Sequence, residues 1–413
     1  MSLRLRGGRA ADGRLVDVAC EDGLIASVAV HDPAARAGEA GDESEVVELG
    51  GRLLLPATAE PHAHLDKALT ADEVPNPAGD LAGAIDAWRS HYSALTTGDI
   101  VDRAHQAVLR LVAHGCTAIR THADVGERIG LMSVEALREA RNQVGHLAEL
   151  QLVALVASPL TGVEGAGNRA AMAAAIEAGV DLVGGCPHLD PDPAGLIDVV
   201  LDAARDAALP ADLHVDETLD TGMLSLDLLA RRVLDRGHPY PVTASHCVSL
   251  GVQRPQVQAA TARIVAEARI GIVVLPQTNL FLQARDHEQS PPRGLTAVAA
   301  LQAAGVLVAA GADNLQDPFC AVGRGDPLET AALVVMAAHR TPDVAFDLVT
   351  NAARRLMGLA PVELVAGSPA ELMALEATSI RDAVASAHPA RLVVHEGRVV
   401  VDSTLARTWT SRP

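Results

Sequence analysis

Eight short apolar runs recur along the middle of this chain, each separated from the next by a stretch of helical periodicity. The runs are LLLPATAEPHAHLD (53–66), CTAIRTHADV (116–125), LQLVALVASP (150–159), DLVGGCPH (181–188), PADLHVDE (210–217), PVTASHCVS (241–249), GIVVLPQTN (271–279) and VLVAAGADN (306–314). The clearest intervening patterns are VDRAHQAVLRLVAHG (101–115) and GMLSLDLLARRVLDRG (222–237). Their aliphatic residues fall three and four apart, the spacing of one helix face. Eight alternating β and α units predict a closed (β/α)₈ TIM barrel. A doubly wound open sheet is the alternative, but it rarely needs eight units of this regularity.

The two ends differ from the middle. Residues 3–55 read as short strands (LRLRGG, RLVDVACED, LIASVAV, EVVELGGRLLLP), and 366–402 repeat that texture. Chain ends often lie close together. The expected organisation is a small β-sandwich domain built from 1–55 plus 365–413, and a barrel of 56–364.

Composition narrows the function. Aromatics are two Trp, two Tyr and three Phe while apolar residues make up 49%, so the core must be aliphatic. The charge, 33 cations against 52 acids or −19, argues against nucleic acid and against an anionic membrane surface. No uncharged apolar run reaches the ~18 residues of a membrane span. Five scattered cysteines with no C-x-x-C pair fit a reduced cytoplasm. Lys67 is the single lysine. It leaves no G-K-[ST] phosphate loop, and it is the one candidate for Schiff-base chemistry. The tract GAGNRA (165–170) fits a dinucleotide fingerprint by letter, but its first glycine follows Pro159 by six residues instead of sitting in the tight turn. It reads as a loop and helix start.

The apolar runs end in polar residues: His62 and His64, His122 and Asp124, His188, His214 and Glu217, His246, Asn279 and Asp313. In barrel enzymes the active site lies at the C-terminal ends of the strands. His62 and His64 are two apart, so both imidazoles share one strand face. With His214 and Asp313 they supply three nitrogens and one carboxylate, a set suited to Zn²⁺ or Fe²⁺ with a position open for water. Such an ion lowers the pKa of its water towards ~7. Glu217, three residues past His214, is placed to shuttle a proton without ligating. His246 is placed to polarise the substrate or to hold the nucleophile with Asp313. Lys67 and Arg120 are cations within reach of an anionic or carbonyl substrate group. Asn279 is a further candidate substrate contact. The segment 67–98, which carries Trp88 and Tyr92, reads either as a cover over the site or as a helix packed on the barrel.

The chain resembles the amidohydrolase superfamily, and within it the bacterial cytosine deaminase group. The matching stretches are PHAHLDK (61–67), RTHADV (120–125), GGCPHLD (184–190), DLHVDET (212–218), TASHC (243–247), QTNLFLQAR (277–285) and GADNLQDPF (311–319), with GSPAELMALEA…RLVVHEGRVV (367–400) resembling the returning β domain. The resemblance implies ligand roles for His62, His64, His214 and Asp313, a proton shuttle at Glu217, and an electrophile or proton relay at His246. Binuclear members of the superfamily bridge two metals with a carboxylated lysine at the end of the fourth strand. Here that strand ends Cys186-Pro187-His188, so one divalent ion per chain is expected. Cytosine deaminases carry Gln after the proline that ends the third strand, where this chain has Leu160. Asn314 stands in place of a second Asp, and Phe319 in place of Trp. An aliphatic Leu160 cannot read an amide edge, so the expected substrate is a small cyclic amidine or amino-substituted N-heterocycle other than cytosine, with ammonia released. The alternative is hydrolysis of an amide, a lactam or an N-alkylamino C–N bond. Subunit number is left open, a homo-oligomer included.

Overall fold

The computed structural model describes residues 2–34 and 44–410. Residues 1, 35–43 and 411–413 of the expected end domain lie outside the described residues. Five strands open the chain: β1 (Ser2–Arg9), β2 (Leu15–Glu21), β3 (Leu24–Val30), β4 (Glu45–Glu48) and β5 (Leu53–Pro56). Eight follow: β6 (Thr58–Ala63), β7 (Cys116–Val125), β8 (Glu149–Val156), β9 (Leu182–Gly185), β10 (Ala211–Val215), β11 (Val242–His246), β12 (Gly271–Val274) and β13 (Val308–Ala310). Three close it: β14 (Leu372–Leu375), β15 (Arg391–His395) and β16 (Arg398–Asp402).

β6 to β13 pair in chain order as one parallel sheet with helices between them. The sheet curls back on itself: Ala63 bridges Asp313, and the Asp313 N–H donates to the His62 carbonyl at 3.1 Å. The buried Glu60 carboxylate reinforces this join by accepting the Ala312 N–H at 2.8 Å. The result is the (β/α)₈ barrel. Its floor is aliphatic, with Ala59, Ala118, Val273 and Ala309 packing on Leu356 and Met357.

The remaining strands of both chain ends form a second sheet in the order β16-β15-β14-β5-β1-β2-β3, with β4 on β1. It has its own core, including Leu5, Val18, Ile25, Leu54 and Val394. The run read as one strand at 53–66 is two. The Ala57 N–H goes to Glu371 of the end sheet, and the next one, from Thr58, goes to Gly115 of the barrel, so the chain changes sheets at that point. Arg391 of β15, fully buried, ties the end sheet to the barrel's helices by a fork on Asp326, the N-cap of Pro327–Ala338, with Nη1 at 2.9 Å and Nη2 at 2.6 Å. Among the described residues no helix is long and apolar enough to cross a membrane.

Two helices follow the first barrel strand: α1 (Leu81–His91) and α2 (Thr97–Ala113). Asp80 caps α1 by accepting the Gly83 N–H, and Arg89 and His91 complement the dipole in its last turn. α2 packs Ile100, Ala104, Ala107, Val108 and Leu111 inward at helical spacing.

Candidate active site

The C-terminal ends of β6, β10 and β13 converge on one buried point. His62 Nε2 lies 3.1 Å from His214 Nε2, and His214 Nε2 lies 3.2 Å from His64 Nε2. Asp313 Oδ1 lies 3.2 Å from His64 Nε2 and 3.6 Å from His62 Nε2. Both Asp313 oxygens lack a hydrogen-bond partner. Burial first, and then repulsion from a neighbouring group (His122 for His62, Lys67 for His64, His246 for His214), holds all three well below the usual imidazole value. Burial, then Glu217, pushes Asp313 well above the usual carboxylate value. Neutral imidazoles turned on one another beside an unpartnered carboxylate are costly without a cation between them. Four ligands at ~2.0–2.1 Å around a tetrahedral ion stand roughly 3.3 Å apart, close to the separations observed. The residues present therefore fit a divalent metal.

The supports behind these ligands differ. His62 Nδ1 is 2.9 Å from Ser245 Oγ, which in turn donates to Asp212 at 3.3 Å. Such partners fix the tautomer and orientation of a ligating imidazole. His64 Nδ1 lies 3.2 Å from Lys67 Nζ. A second grouping, His62 with His122 and Asp212, sits one layer deeper. Its carboxylate is already engaged by Arg120 at 2.9 Å.

Glu217 reaches the cavity because the chain turns sharply after His214. Asp216 adopts φ +51°, a left-handed conformation, and its carboxylate accepts the N–H groups of Ser225 and Leu226 at the start of the following helix. Burial raises the Glu217 carboxyl to about 8. His246 and Asp313, at φ +67° and +68°, are bent towards the same space. His246 Nδ1 lies 3.1 Å from Asn279 Nδ2 and 3.5 Å from Glu217 Oε1, while Nε2 is 3.9 Å from Asp313 Oδ2. With Asn279 donating to Nδ1, the Nε2–H faces the metal ligands. Burial lowers His246 to about 3, so the ring is neutral. Among the strands, β9 is drawn unusually close: a Cβ on Gly184 would stand 2.0 Å from the Asp212 carbonyl, which accounts for a glycine there.

A cavity of about 110 Å³ opens above the cluster, lined by His64, His214, Glu217, His246 and Asp313, and by Lys67, Asn314 and Phe319. Trp88 and Tyr92 of α1 and the following turn form another part of its wall, so this part of 67–98 lines the cavity while also packing on its neighbours. Lys67 is buried rather than a loop charge, and its three donors are spent within the protein, on His64, on Asp66 at 3.1 Å and on Asp124 at 3.0 Å. Burial opposes the charge, but Asp124 and Asp66 outweigh it and hold Lys67 above its usual value. Asn314 is tied to Asp317 at 2.8 Å.

Three residues expected to touch substrate lie elsewhere. Arg120 points into the barrel near its floor, bonded to Asp212, Gln151 and the Leu356 carbonyl. Leu160 packs outside the barrel in the aliphatic layer beneath the helices, and its N–H donates to Asp190 at 2.6 Å. Asn279 stands behind His246, on the short helix Pro276–Leu282. Conversely, Asp124 went unassigned in the sequence although it ends the second run. It accepts from Lys67, from Trp88 Nε1 at 2.7 Å and from Tyr92 Oη at 3.1 Å.

Comparison with known proteins agrees with this geometry. A sequence model described as the amidohydrolase family matches residues 93–401. The pterin deaminase of Rhizobium rhizogenes is 34% identical over 399 residues, spanning 95% of this chain and 90% of that protein. The 5-methylcytosine deaminase of Klebsiella pneumoniae liganded with phosphonocytosine has a TM-score of 0.88 at 29% identity, covering 99% of this chain and 100% of the other. The N-isopropylammelide isopropylaminohydrolase of Burkholderia multivorans has a TM-score of 0.83 at 29% identity, covering 98% and 99%.

Proposed function

This chain belongs to the amidohydrolase family and is a hydrolase of C–N bonds, and from that premise we propose that it deaminates an amino-substituted N-heterocycle with one divalent ion, Zn²⁺ or Fe²⁺. The observation that carries the reading is Glu217, a buried carboxyl of raised proton affinity in the same cavity as the proposed metal-ligand cluster. His62, His64, His214 and Asp313 would hold the ion. Bound there, it supplies the Lewis acidity that makes a water nucleophilic near neutral pH.

The chain's own groups account for the rest. Glu217 takes the proton released as water adds to the ring carbon and passes it to the departing amine, so ring C–NH₂ plus water becomes ring C=O (as its lactam) plus ammonia. Its raised proton affinity suits it to keep that proton between the two transfers. His246 presents Nε2–H towards the reacting carbon's new oxygen, and Asn279 fixes that tautomer. Trp88, Tyr92 and Phe319 wall the ring away from bulk water.

Relatives that deaminate pterin and 5-methylcytosine share an exocyclic amine on a cyclic amidine carbon, and this is the substrate class proposed here. Pterin heads the panel, because the pterin deaminase is the relative of higher identity. A second reading, release of an alkylamine from an N-alkylated ring, is favoured by the 29% identity to the isopropylaminohydrolase. The test is ammonia release by metal-loaded protein from pterin, cytosine, 5-methylcytosine and an N-isopropyl triazine. Ammonia from a heterocyclic amine supports the proposal. Isopropylamine alone would replace it with the second reading, and turnover of none would overturn both.

A further inference from the structure

Beneath the ligand cluster the barrel holds a polar column that the proposed reaction does not use. It crosses four strands, from Arg120 on β7 to Asp212 on β10, Ser245 on β11 and His62 on β6. Arg120 Nη1 donates to Asp212 Oδ2 at 2.9 Å. The other edge of the guanidinium grips Gln151 Oε1, with Nε at 3.1 Å and Nη2 at 3.0 Å. Asp212 Oδ1 accepts from Ser245 Oγ at 3.3 Å, and Ser245 Oγ lies 2.9 Å from His62 Nδ1. All four residues of the column are buried. His122 Nε2 stands 4.0 Å from Asp212 Oδ1, beyond hydrogen-bond reach, so the carboxylate is committed to Arg120 and Ser245.

A serine hydroxyl has one proton to give, and a carboxylate paired with arginine can only accept. The Ser245 proton therefore goes to Asp212, and Oγ turns a lone pair towards His62 Nδ1. His62 then carries its own proton on Nδ1 and leaves Nε2 bare, the state in which an imidazole ligates. The other two imidazoles of the cluster have no such guide. Among the described residues His214 Nδ1 has no partner, and His64 Nδ1 faces the Lys67 ammonium, which has no lone pair to offer.

We propose that Asp212 and Ser245 are positioning residues that set the tautomer of His62 and so the affinity for the metal, with Arg120 fixing which oxygen of Asp212 faces Ser245. The proposal rests on the metal reading above. Asp212→Asn keeps the shape of the column but reverses its direction. Arg120 can only donate, so it claims the single amide oxygen and turns the amide N–H groups towards Ser245. The displaced hydroxyl proton then points at His62 Nδ1, and the ring must carry its proton on Nε2, facing the other ligands.

The test is the zinc affinity of metal-stripped protein, measured against a chromophoric chelator. The proteins are the parent, Ser245→Ala, Ser245→Thr, Asp212→Asn and Ser245→Ala combined with Asp212→Asn. Ser245→Ala and Asp212→Asn should each weaken zinc binding about 10–100-fold, the usual cost of losing an outer partner of a ligating histidine. Ser245→Thr keeps a hydroxyl and should restore most of the affinity. In the Ser245→Ala background, Asp212→Asn should cost less than about 2-fold more, because it acts through that hydroxyl. Zinc affinity in Ser245→Ala within about 2-fold of the parent, or the full Asp212→Asn loss in both backgrounds, overturns the proposal. If Asp212→Asn fails to fold, the contrast between Ser245→Ala and Ser245→Thr decides: equal losses overturn the proposal, and rescue by threonine supports it. A parent that takes up no zinc overturns the metal reading and the proposal together. A parent that binds zinc, with Ser245→Ala unchanged, overturns the proposal alone.

Discussion

Trp88 donates its indole N–H to the Asp124 carboxylate across 2.7 Å, a contact that links α1 to the C-terminal end of the barrel strand β7. The same carboxylate holds Lys67, whose ammonium touches His64. A chain of polar contacts thus runs from α1 to His64, one of the proposed metal ligands. In Asp124→Asn the ammonium loses one counter-charge and the amide can no longer serve three donors. We expect KM to rise about 10-fold, in line with loss of a hydrogen bond to a charged group, at unchanged metal content. Trp409 is 87% exposed, so a Trp409→Phe background isolates Trp88 emission. A red shift there marks a loosened α1. Emission and KM that both stay put would show that packing alone seats the helix.

Glu217→Gln keeps the size of the side chain and removes its proton exchange. The variant should retain the parent's metal content and lose about 10²–10⁴ in kcat. Turnover within a few-fold of the parent would remove Glu217 from the mechanism.

Metal content should be one ion per chain, because one set of four atoms meets at the strand ends and no lysine stands at the end of β9. His214→Ala should abolish that stoichiometry, since His214 contacts both other imidazoles. Chelation should lower Tm in the parent but not in this variant, because an ion at 1,000 times its Kd stabilises the fold by about 4 kcal/mol. Two ions per chain by elemental analysis would refute the mononuclear assignment.

Arg391 is fully buried and its fork on Asp326 ties the end sheet to a helix of the barrel. Arg391→Leu leaves Asp326 buried and uncompensated, at a cost of about 3–5 kcal/mol. Urea unfolding should show that loss. A change below about 1 kcal/mol would mean that water reaches Asp326.

The barrel was legible in the sequence because it depends on periodicity, and the strand-end residues proposed as ligands do meet in the structure. Strand alternation gives the face of a side chain, and the H-x-H pair needs nothing more. Depth along the barrel axis is a different matter. Arg120, His122 and Asp124 share one face of β7, yet they occupy three layers: Arg120 meets Asp212 near the floor, His122 lies with its ring 4.0 Å from that of His62, and Asp124 meets α1. At ~3.3 Å per residue, two positions shift a side chain by a whole layer, and no local pattern records where the mouth begins. Leu160 was misplaced for a related reason. It leaves the strand end towards the helices, and the loop that turns it is fixed by Asp190, thirty residues away in the chain. The α1 wall of the cavity was visible only as two aromatics in an aromatic-poor sequence. Its partner, Asp124, looks like any other strand-end acid until the fold brings Trp88 to it.

His62 stands on the first barrel strand and Asp313 just past the last, and they meet only where the cylinder joins. The proposed metal site therefore has no partial version on the growing chain: until translation has passed Asp313 and the final strand has found the first, three imidazoles wait without their carboxylate. Metal loading then reports completion of the whole barrel, and a mutation that keeps the last strand from seating will starve the protein of metal while leaving every ligand intact in its gene.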